Sequence, residues 1–175
     1  TIFNAVEEAK KRKTLVVENP DAANARLSYP LDCVQNAWVS QDQFHHPDNI
    51  FFLTMDATGS FPAVSKISGD VVQKFFETGY TSQMPGTEAG VTEIKKVFSP
   101  CYGSPFMPRD VKIYSEMLMK KIQENNVNVY LVNTGMDKYG KRFDLNFTRQ
   151  SVKNAIKGNL KDKSKKVHDI LKELL

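Results

Sequence analysis

The stretch Ile50–Phe51–Phe52–Leu53–Thr54–Met55, followed by Asp56, decides the fold of this chain. An unbroken apolar run of this length that ends at a turn predicts a β-strand buried on both of its faces. Asp56 would then lie at the carboxyl end of the strand, where open α/β sheets place their ligand sites. It fits equally well as the cap of a turn with Thr58 and Gly59, and both interpretations are open.

Helical patterns follow this strand. Ser68 is the predicted cap of a first helix, with Asp70 in its first turn and Gly79 as its stop. Apolar spacing assigns this helix a buried face of Val71, Val72, Phe75 and Phe76.

Three more helices and another strand are predicted further along. A helix opened by Pro108 has an apolar face consisting of Val111, Tyr114, Met117, Leu118 and Ile122. A strand over residues 127–132 and a helix capped by Thr148, with apolar Val152, Ala155 and Ile156, come next. The last helix carries Val167, Ile170, Leu171, Leu174 and Leu175. With a short helix and strand near residues 2–17, the alternation indicates a mixed α/β fold.

Residues 79–106 show neither apolar period and are rich in Gly, Pro, Ser and Thr. Helix and central strand are both disfavoured by this composition. Tyr80, Val97 and Phe106 are too apolar for a solvated linker. We therefore predict a mobile, partly packed loop over a site, with a surface loop of no role as the alternative.

Composition limits the class of protein. The 175 residues carry a net charge of +4, and no apolar run is long enough to cross a membrane. Cys33 and Cys101 lie far apart without CxxC spacing, which fits free thiols in a reducing compartment, with one disulfide as the alternative. The expected location is cytoplasmic. The first residue is not Met, so we expect an excised or processed fragment.

Each charged cluster has both a purely structural and a functional interpretation. The basic runs at residues 10–13 and 157–166 fit solvated helix faces or an anion-binding surface, and they lack the interleaved aromatic residues typical of nucleic-acid binding. His45 and His46 point to opposite sides of an extended chain, so no metal site is predicted. Arg26, between small and apolar residues, is either a rim charge or an anion ligand.

Several ordered motifs together resemble the C-terminal part of ATP-dependent phosphoenolpyruvate carboxykinases. These motifs are NARLSYP at residues 24–30, FLTMDATGSFPAVSK at 52–66, GYTS at 79–82, GTEAGVTE at 86–93, YLVNTG at 130–135 and GKR at 140–142. The resemblance covers residues 1–160, read as part of the C-terminal mononucleotide-binding domain, a mixed sheet with flanking helices. Residues 161–175 form an unaligned amphipathic helix.

The resemblance implies the reaction of oxaloacetate and ATP to phosphoenolpyruvate, CO2 and ADP in gluconeogenesis, with Mg or Mn. It implies that Arg26 is catalytic, contacts the transferring phosphoryl group and the organic substrate, and counts among the nucleotide-binding residues. Arg142, Phe143 and Thr148 are implied to hold the adenine, and the implied lid consists of Gly86, Thr87, Glu88, Ala89 and Gly90. The expected partners are the small-molecule substrates and the missing N-terminal part of the enzyme, with no nucleic acid and no membrane.

Departures from the family pattern qualify this hypothesis. Ala89 and Ile94 replace a usual Arg and Pro of the lid, and Phe143 replaces an aliphatic residue. The Gly-rich phosphate loop, of the form GxxxxGK[ST], and the metal ligands do not occur in this sequence. We therefore expect the 175-residue chain alone to be inactive. The alternatives are a non-catalytic relative that only binds nucleotide or a partner, and an unrelated basic α/β domain that binds nucleic acid.

Overall fold

A computed structural model describes residues 35, 37, 45–83, 85 and 91–175. The chain splits into two compact units, residues 1–45 with 84–93 and residues 46–83 with 94–175. The few described residues of the first unit contain no helix or strand. All elements below belong to the second unit, and the elements predicted near residues 2–17 lie outside the described residues.

A three-stranded mixed sheet forms the centre of this unit. It contains β1 (Asn49–Thr54), β2 (Val64–Ile67) and β5 (Asn128–Asn133) in the order β1-β5-β2. β1 runs parallel to β5, with Thr54 opposite Asn133, whereas β2 runs antiparallel to it. The mixed α/β class and the mixed sheet predicted from the sequence are confirmed.

The strand buried on both faces is β5, not β1. Five consecutive residues of β5, from Val129 to Asn133, are buried. In β1, Phe52 and Thr54 are buried but Leu53 is 60% exposed. The prediction for β1 was wrong because β1 lies at the edge of the sheet among the described strands, so its second face is only partly covered.

Two short strands form a separate antiparallel pair. β3 (Tyr80–Gln83) pairs with β4 (Lys95–Phe98), with Tyr80 opposite Phe98. Single turns of 3₁₀ helix follow at Pro100–Tyr102 and Ser104–Phe106. The prediction of an irregular loop over residues 79–106 was therefore wrong for both ends of that stretch, and residues 86–90 lie outside the described part of the chain.

The main hydrophobic core covers one face of the sheet. It packs α1 (Asp70–Thr78) and α4 (Ser164–Leu174) against the sheet. α2 (Val111–Glu124) lies against α1. The fully buried core residues include Ile67, Val72, Phe75, Leu131, Val167 and Leu171. The buried face predicted for α1 is confirmed, as is its stop at Gly79, which has φ 54°.

α3 (Leu145–Ile156) covers the other face of the sheet. Ala155 and Val152 pack against Val64, Tyr130 and Val132. The phenol of Tyr130 donates to the carbonyl of Ala155 over 3.0 Å, which fixes the helix to the central strand. The sheet thus lies between two layers of helices.

Two helix starts and three apolar faces differ from their predictions. The residue before α1 is Gly69, not Ser68. The cap of α2 is the Asp110 carboxylate, which accepts from the Lys112 N–H over 2.8 Å. Pro108 therefore precedes the helix and does not open it. Met117 is 60% exposed, because Leu118, Met119 and Ile122 form the packed face of α2. Ile156 at the end of α3 and Leu175 after α4 were also predicted on apolar faces, and both are exposed.

Ser68 instead belongs to a polar clasp, formed with Asp162 and Ser164, that fixes the start of α4 beside β2. The Ser68 hydroxyl donates to the Asp162 carboxylate over 2.8 Å, and the Ser68 N–H donates to the Ser164 hydroxyl over 2.8 Å. The Ser164 N–H donates to Asp162 over 2.8 Å. The backbones of Lys66 and Asp162 pair in an isolated parallel β-bridge. Burial alone would raise the pKa of Asp162, but the hydrogen bonds from Ser164 and Ser68 and the charge of Lys66 outweigh it and lower that pKa.

Within the described residues, no helix has both the length and the apolar character that a bilayer crossing requires.

The lowered pKa of Asp162 predicts how its charge affects stability. A depressed carboxylate pKa contributes stability that is present above the unfolded pKa and lost as the pH falls through the folded one. Asp162→Asn should lower the free energy of unfolding at pH 7 by less than about 1 kcal/mol, because the side chain is exposed. The difference in the free energy of unfolding should shrink as the pH falls below 3.8, the ordinary pKa of an aspartate, and should disappear below the lowered pKa of the folded state.

Urea denaturation at several pH values measures this difference. The matched control is Asp169→Asn, which removes an exposed carboxylate from α4 and should show a smaller effect. A difference for Asp162→Asn that is equal at pH 7 and pH 3 would contradict the assignment.

Candidate functional site

The parallel pairing of β1 and β5 brings their carboxyl ends to one edge of the sheet. The loop after β1, residues 55–61, and the loop after β5, residues 134–144, therefore start side by side. The carboxyl edge of parallel strands is where open α/β sheets place ligands. The motifs TMDATGSF and NTG…GKRF stand on these two loops.

Asp56 organises the first loop. Its fully buried carboxylate accepts from the N–H and hydroxyl of Thr58, over 2.9 and 2.6 Å, and from the Phe61 N–H over 2.9 Å. The Tyr80 phenol donates to the same carboxylate over 3.2 Å. Of the two interpretations left open, the structure supports the turn cap, because these donors use both carboxylate oxygens.

Tyr80 is held in place for this role. Its carbonyl accepts from the Thr54 hydroxyl over 2.7 Å, and its ring is fully buried beside Phe61. Burial raises the pKa of the Tyr80 phenol, opposed by a hydrogen bond with Ser82 and reinforced by the negative charge of Asp56. The phenol therefore stays protonated near neutral pH and keeps donating to Asp56.

Asn133, the last residue of β5, ties the two loops together. Its side-chain oxygen accepts from the backbone N–H groups of Asp56 and Gly135, over 3.1 and 2.8 Å. Its amide nitrogen donates to the carbonyls of Phe61 and Met136, over 3.1 and 3.2 Å. All four hydrogen-bonding positions of a buried amide are thus used by backbone groups of the two loops.

The same two loops touch backbone to backbone. A Cβ atom at Gly135 would overlap the Asp56 backbone, and one at Gly59 would overlap the carbonyl of Asp137. Gly59 also has φ 73°, which disfavours other residues. Side chains at these two positions would push the loops apart, so the contact requires glycine.

The second loop presents Arg142 and Phe143. Asp137 closes its turn by accepting from the N–H groups of Tyr139 and Lys141, each over 2.9 Å. The Phe143 N–H donates to the Gly135 carbonyl over 2.9 Å. The exposed Arg142 guanidinium donates weakly from Nε to the Thr134 carbonyl, over 3.5 Å. The anchored loop therefore places the Arg142 side chain in solvent at the edge of the sheet.

Thr148 lies in the first turn of α3 and is not its cap. Asp144 caps the helix by accepting from the N–H groups of Asn146 and Phe147. The Thr148 hydroxyl donates to the Asp144 carbonyl over 3.1 Å. The prediction chose the wrong one of two cap-forming residues four positions apart.

The structure thus brings three predicted site residues, Arg142, Phe143 and Thr148, to one loop-to-helix junction. Arg26 and the lid residues Gly86, Thr87, Glu88, Ala89 and Gly90 lie outside the described residues. Sequence reasoning missed the role of Asn133, although a short polar residue that ends an apolar strand is a usable signal. It also missed Phe147, whose ring stacks on Phe143.

Metal ligation at the described residues depends on how their acidic, His and Cys side chains are grouped. Among them, no group of three or more His, Cys, Asp or Glu side chains is arranged to hold an ion. Divalent ions such as Mg²⁺ need oxygen ligands, and both Asp56 carboxylate oxygens already accept hydrogen bonds, from Thr58, Phe61 and Tyr80. The described residues therefore offer no ready-made cluster of three or more such side chains for a divalent metal.

Comparisons with known proteins agree with the sequence motifs. The family model for phosphoenolpyruvate carboxykinase matches residues 1–173, and so includes most of α4. The chain is 42% identical over 165 residues to phosphoenolpyruvate carboxykinase (ATP) of Bacillus cytotoxicus, covering 90% of this chain and 31% of that protein. The Bacillus subtilis enzyme of the same name is 40% identical, covering 97% and 34%. The chain thus spans about a third of the length of the curated relatives it matches.

The four bonds of Asn133 give a stability prediction. Asn133→Leu keeps the branching at Cγ but is larger and removes both polar atoms, so four backbone groups of the two loops lose their partners, and we expect the free energy of unfolding to fall by more than about 3 kcal/mol. Urea denaturation measures this loss. Asn154→Leu on the exposed side of α3 is the control and should change it by less than about 0.5 kcal/mol. Equal unfolding midpoints for the two variants would contradict the assigned role.

Proposed function

The chain belongs to the phosphoenolpyruvate carboxykinase (ATP) family, and on that premise we propose that it supplies the adenine-side wall of a phosphoryl-transfer site. The observation that carries this proposal is the anchored junction at residues 134–148. There Arg142, Phe143 and Thr148 stand together at the carboxyl edge of the parallel strands. That edge is where a nucleotide would be expected to bind.

Each of the three side chains offers the base a different contact. The planar guanidinium of Arg142 can stack on an aromatic base, as arginine commonly does. Phe143 is half-buried and offers an apolar surface. The Thr148 hydroxyl donates a hydrogen bond to the Asp144 carbonyl, so its lone pairs can accept from the amino group of adenine.

The wider reaction follows from the family and remains a proposal for this chain. Oxaloacetate and ATP would give phosphoenolpyruvate, CO2 and ADP, a step of gluconeogenesis in the cytoplasm. Arg26 would contact the phosphoryl group with its always-charged fork. Residues 86–90 would form a lid that excludes water during the transfer. The metal of this reaction would need ligands other than those in the described residues.

The 175 residues lack the groups that hold the β- and γ-phosphates. No GxxxxGK[ST] motif occurs in the sequence. We therefore propose that this polypeptide acts together with the remaining part of a carboxykinase. The alternative is a non-catalytic relative that only binds nucleotide or a partner, and it is favoured by Ala89 in the proposed lid and by Ile94 shortly after it, where the family carries Arg and Pro.

Arg142 gives a test of the nucleotide proposal. Arg142→Ala should weaken ATP binding by about tenfold or more, because stacking of a cation on a base is lost. Isothermal titration calorimetry of the 175-residue chain measures this. Lys141→Ala removes the same charge from the neighbouring position and should have a smaller effect. An equal loss in the two variants would show that charge alone, not a fixed contact, binds the nucleotide.

Catalysis by the chain alone gives a second test. We expect no phosphoenolpyruvate from oxaloacetate, ATP and Mn²⁺ or Mg²⁺ in an enzyme-coupled assay, because the phosphate loop is missing. Addition of the N-terminal two thirds of a relative as a separate polypeptide should produce activity if the two parts assemble. Metal-dependent product from the purified 175-residue chain without that addition would overturn the proposal.

A further inference from the structure

One side of β1 faces away from β5 and is not paired with any described strand. The carbonyls of Asp48 and Thr54 accept from N–H groups of the segment that contains β5, over 2.9 and 2.8 Å. Backbone groups alternate in direction along a strand, so the N–H and C=O groups of Asn49, Phe51 and Leu53 point to the other side. We call this side of β1, with the backbone groups of these three residues, the open edge.

The other strands that border a sheet carry features that protect them from further pairing. β2, at the opposite end of the three-stranded sheet, has only four residues, and the β-bridge between Lys66 and Asp162 covers it. β4 begins with Lys95 and Lys96, which are both exposed. Short strands, lysine side chains and covering segments are the means by which native proteins keep a strand edge from pairing with another chain.

The open edge of β1 lacks these protective features among the described residues. The strand has six residues, NIFFLT, without a charge or a proline, and Leu53 is 60% exposed. Just beyond the strand, the Met55 N–H donates to the Thr81 hydroxyl over 3.2 Å, and the Met55 carbonyl accepts from the Ser82 N–H over 2.7 Å. The backbone on this side of β1 is therefore accessible for pairing, and β3 uses only its last position.

We propose that the open edge binds a β-strand from the remaining part of a carboxykinase. The chain spans about a third of the length of its curated relatives, so the other two thirds can supply such a strand. The position favours this occupant, because β1 leads into the Asp56 loop at the carboxyl end of the parallel strands. The phosphate-binding groups that this chain lacks would have to lie at that end, beside the proposed adenine-side wall.

An added strand would satisfy the open edge through its backbone and cover Leu53 with its side chains, as in other cases of strand addition to a sheet. A second copy of this chain could pair there too, but it would bring no phosphate-binding groups to the site. This inference rests on the proposed function, because it assumes that the two parts of the enzyme assemble.

Amide hydrogen exchange, measured residue by residue, tests the pairing directly. The 175-residue chain is compared alone and in complex with the N-terminal two thirds of the Bacillus subtilis enzyme, with both polypeptides produced in the same cells. The amides of Phe51 and Leu53 should exchange fast in the chain alone and slow by about tenfold or more in the complex. The amides of Phe52 and Thr54 face β5 and should be protected in both samples.

A substitution at the open edge gives a second measurement. Leu53→Lys should weaken binding of the N-terminal part by about tenfold or more, because the ammonium group would lose water when the added strand covers it. Met117→Lys is the matched control, since Met117 is also 60% exposed but lies on α2. It should leave the affinity unchanged.

The outcomes separate this inference from the proposed function. A complex in which the Phe51 and Leu53 amides stay unprotected, or equal affinities of the two lysine variants, would overturn the inference and leave the proposed assembly standing. Protection of these amides in the chain alone would also overturn it, and a dependence on chain concentration would then identify a second copy as the occupant. Absence of any complex would overturn both the inference and the assembly, whereas ATP binding by the chain tests the adenine-side wall separately.

Discussion

The four hydrogen bonds of the buried Asn133 amide are the constraint on which the rest of this structure depends. They connect the end of the central strand to backbone groups of the loop after β1 and of the loop after β5. Asp56 completes the arrangement by fixing its own loop and accepting from Tyr80 of the second sheet. A buried polar network is stabilising only when every member has its partners, and here each has them. The position of Arg142 and Phe143 follows from this network, because their loop starts at Asn133.

Much of the fold could be predicted from local sequence. The alternation of strands and helices, the central strand near residues 127–132 and the end of α1 at Gly79 all depend on neighbouring residues. The predictions that failed concern features that depend on residues distant in the sequence. An apolar run such as Ile50–Met55 does not show whether its strand lies in the middle or at the edge of a sheet. β3 and β4 are short and largely polar, and they are strands because they pair with each other across the sequence.

The candidate site likewise has features that local sequence predicts and features that depend on distant residues. The juxtaposition of Arg142, Phe143 and Thr148 is local, since the three residues stand within seven positions of one loop and helix start. The role of Asn133 is not local, because its partners include Asp56 and Phe61 on another loop. A one-dimensional pattern offers two cap-forming residues, Asp144 and Thr148, and only the backbone geometry identifies Asp144 as the cap. Arg26 and the proposed lid stay predictions.

The strand order has a consequence for how this unit folds. β5 lies between β1 and β2, yet it is the last of the three along the chain, and Asn133 reaches back 77 residues to Asp56. During synthesis β1 and β2 are therefore made before β5, their common neighbour, which is complete only when residue 133 has been added. Pairing of such distant segments is slow, because loop closure costs entropy before any contact forms. The sheet and its two loops should thus form in one late step.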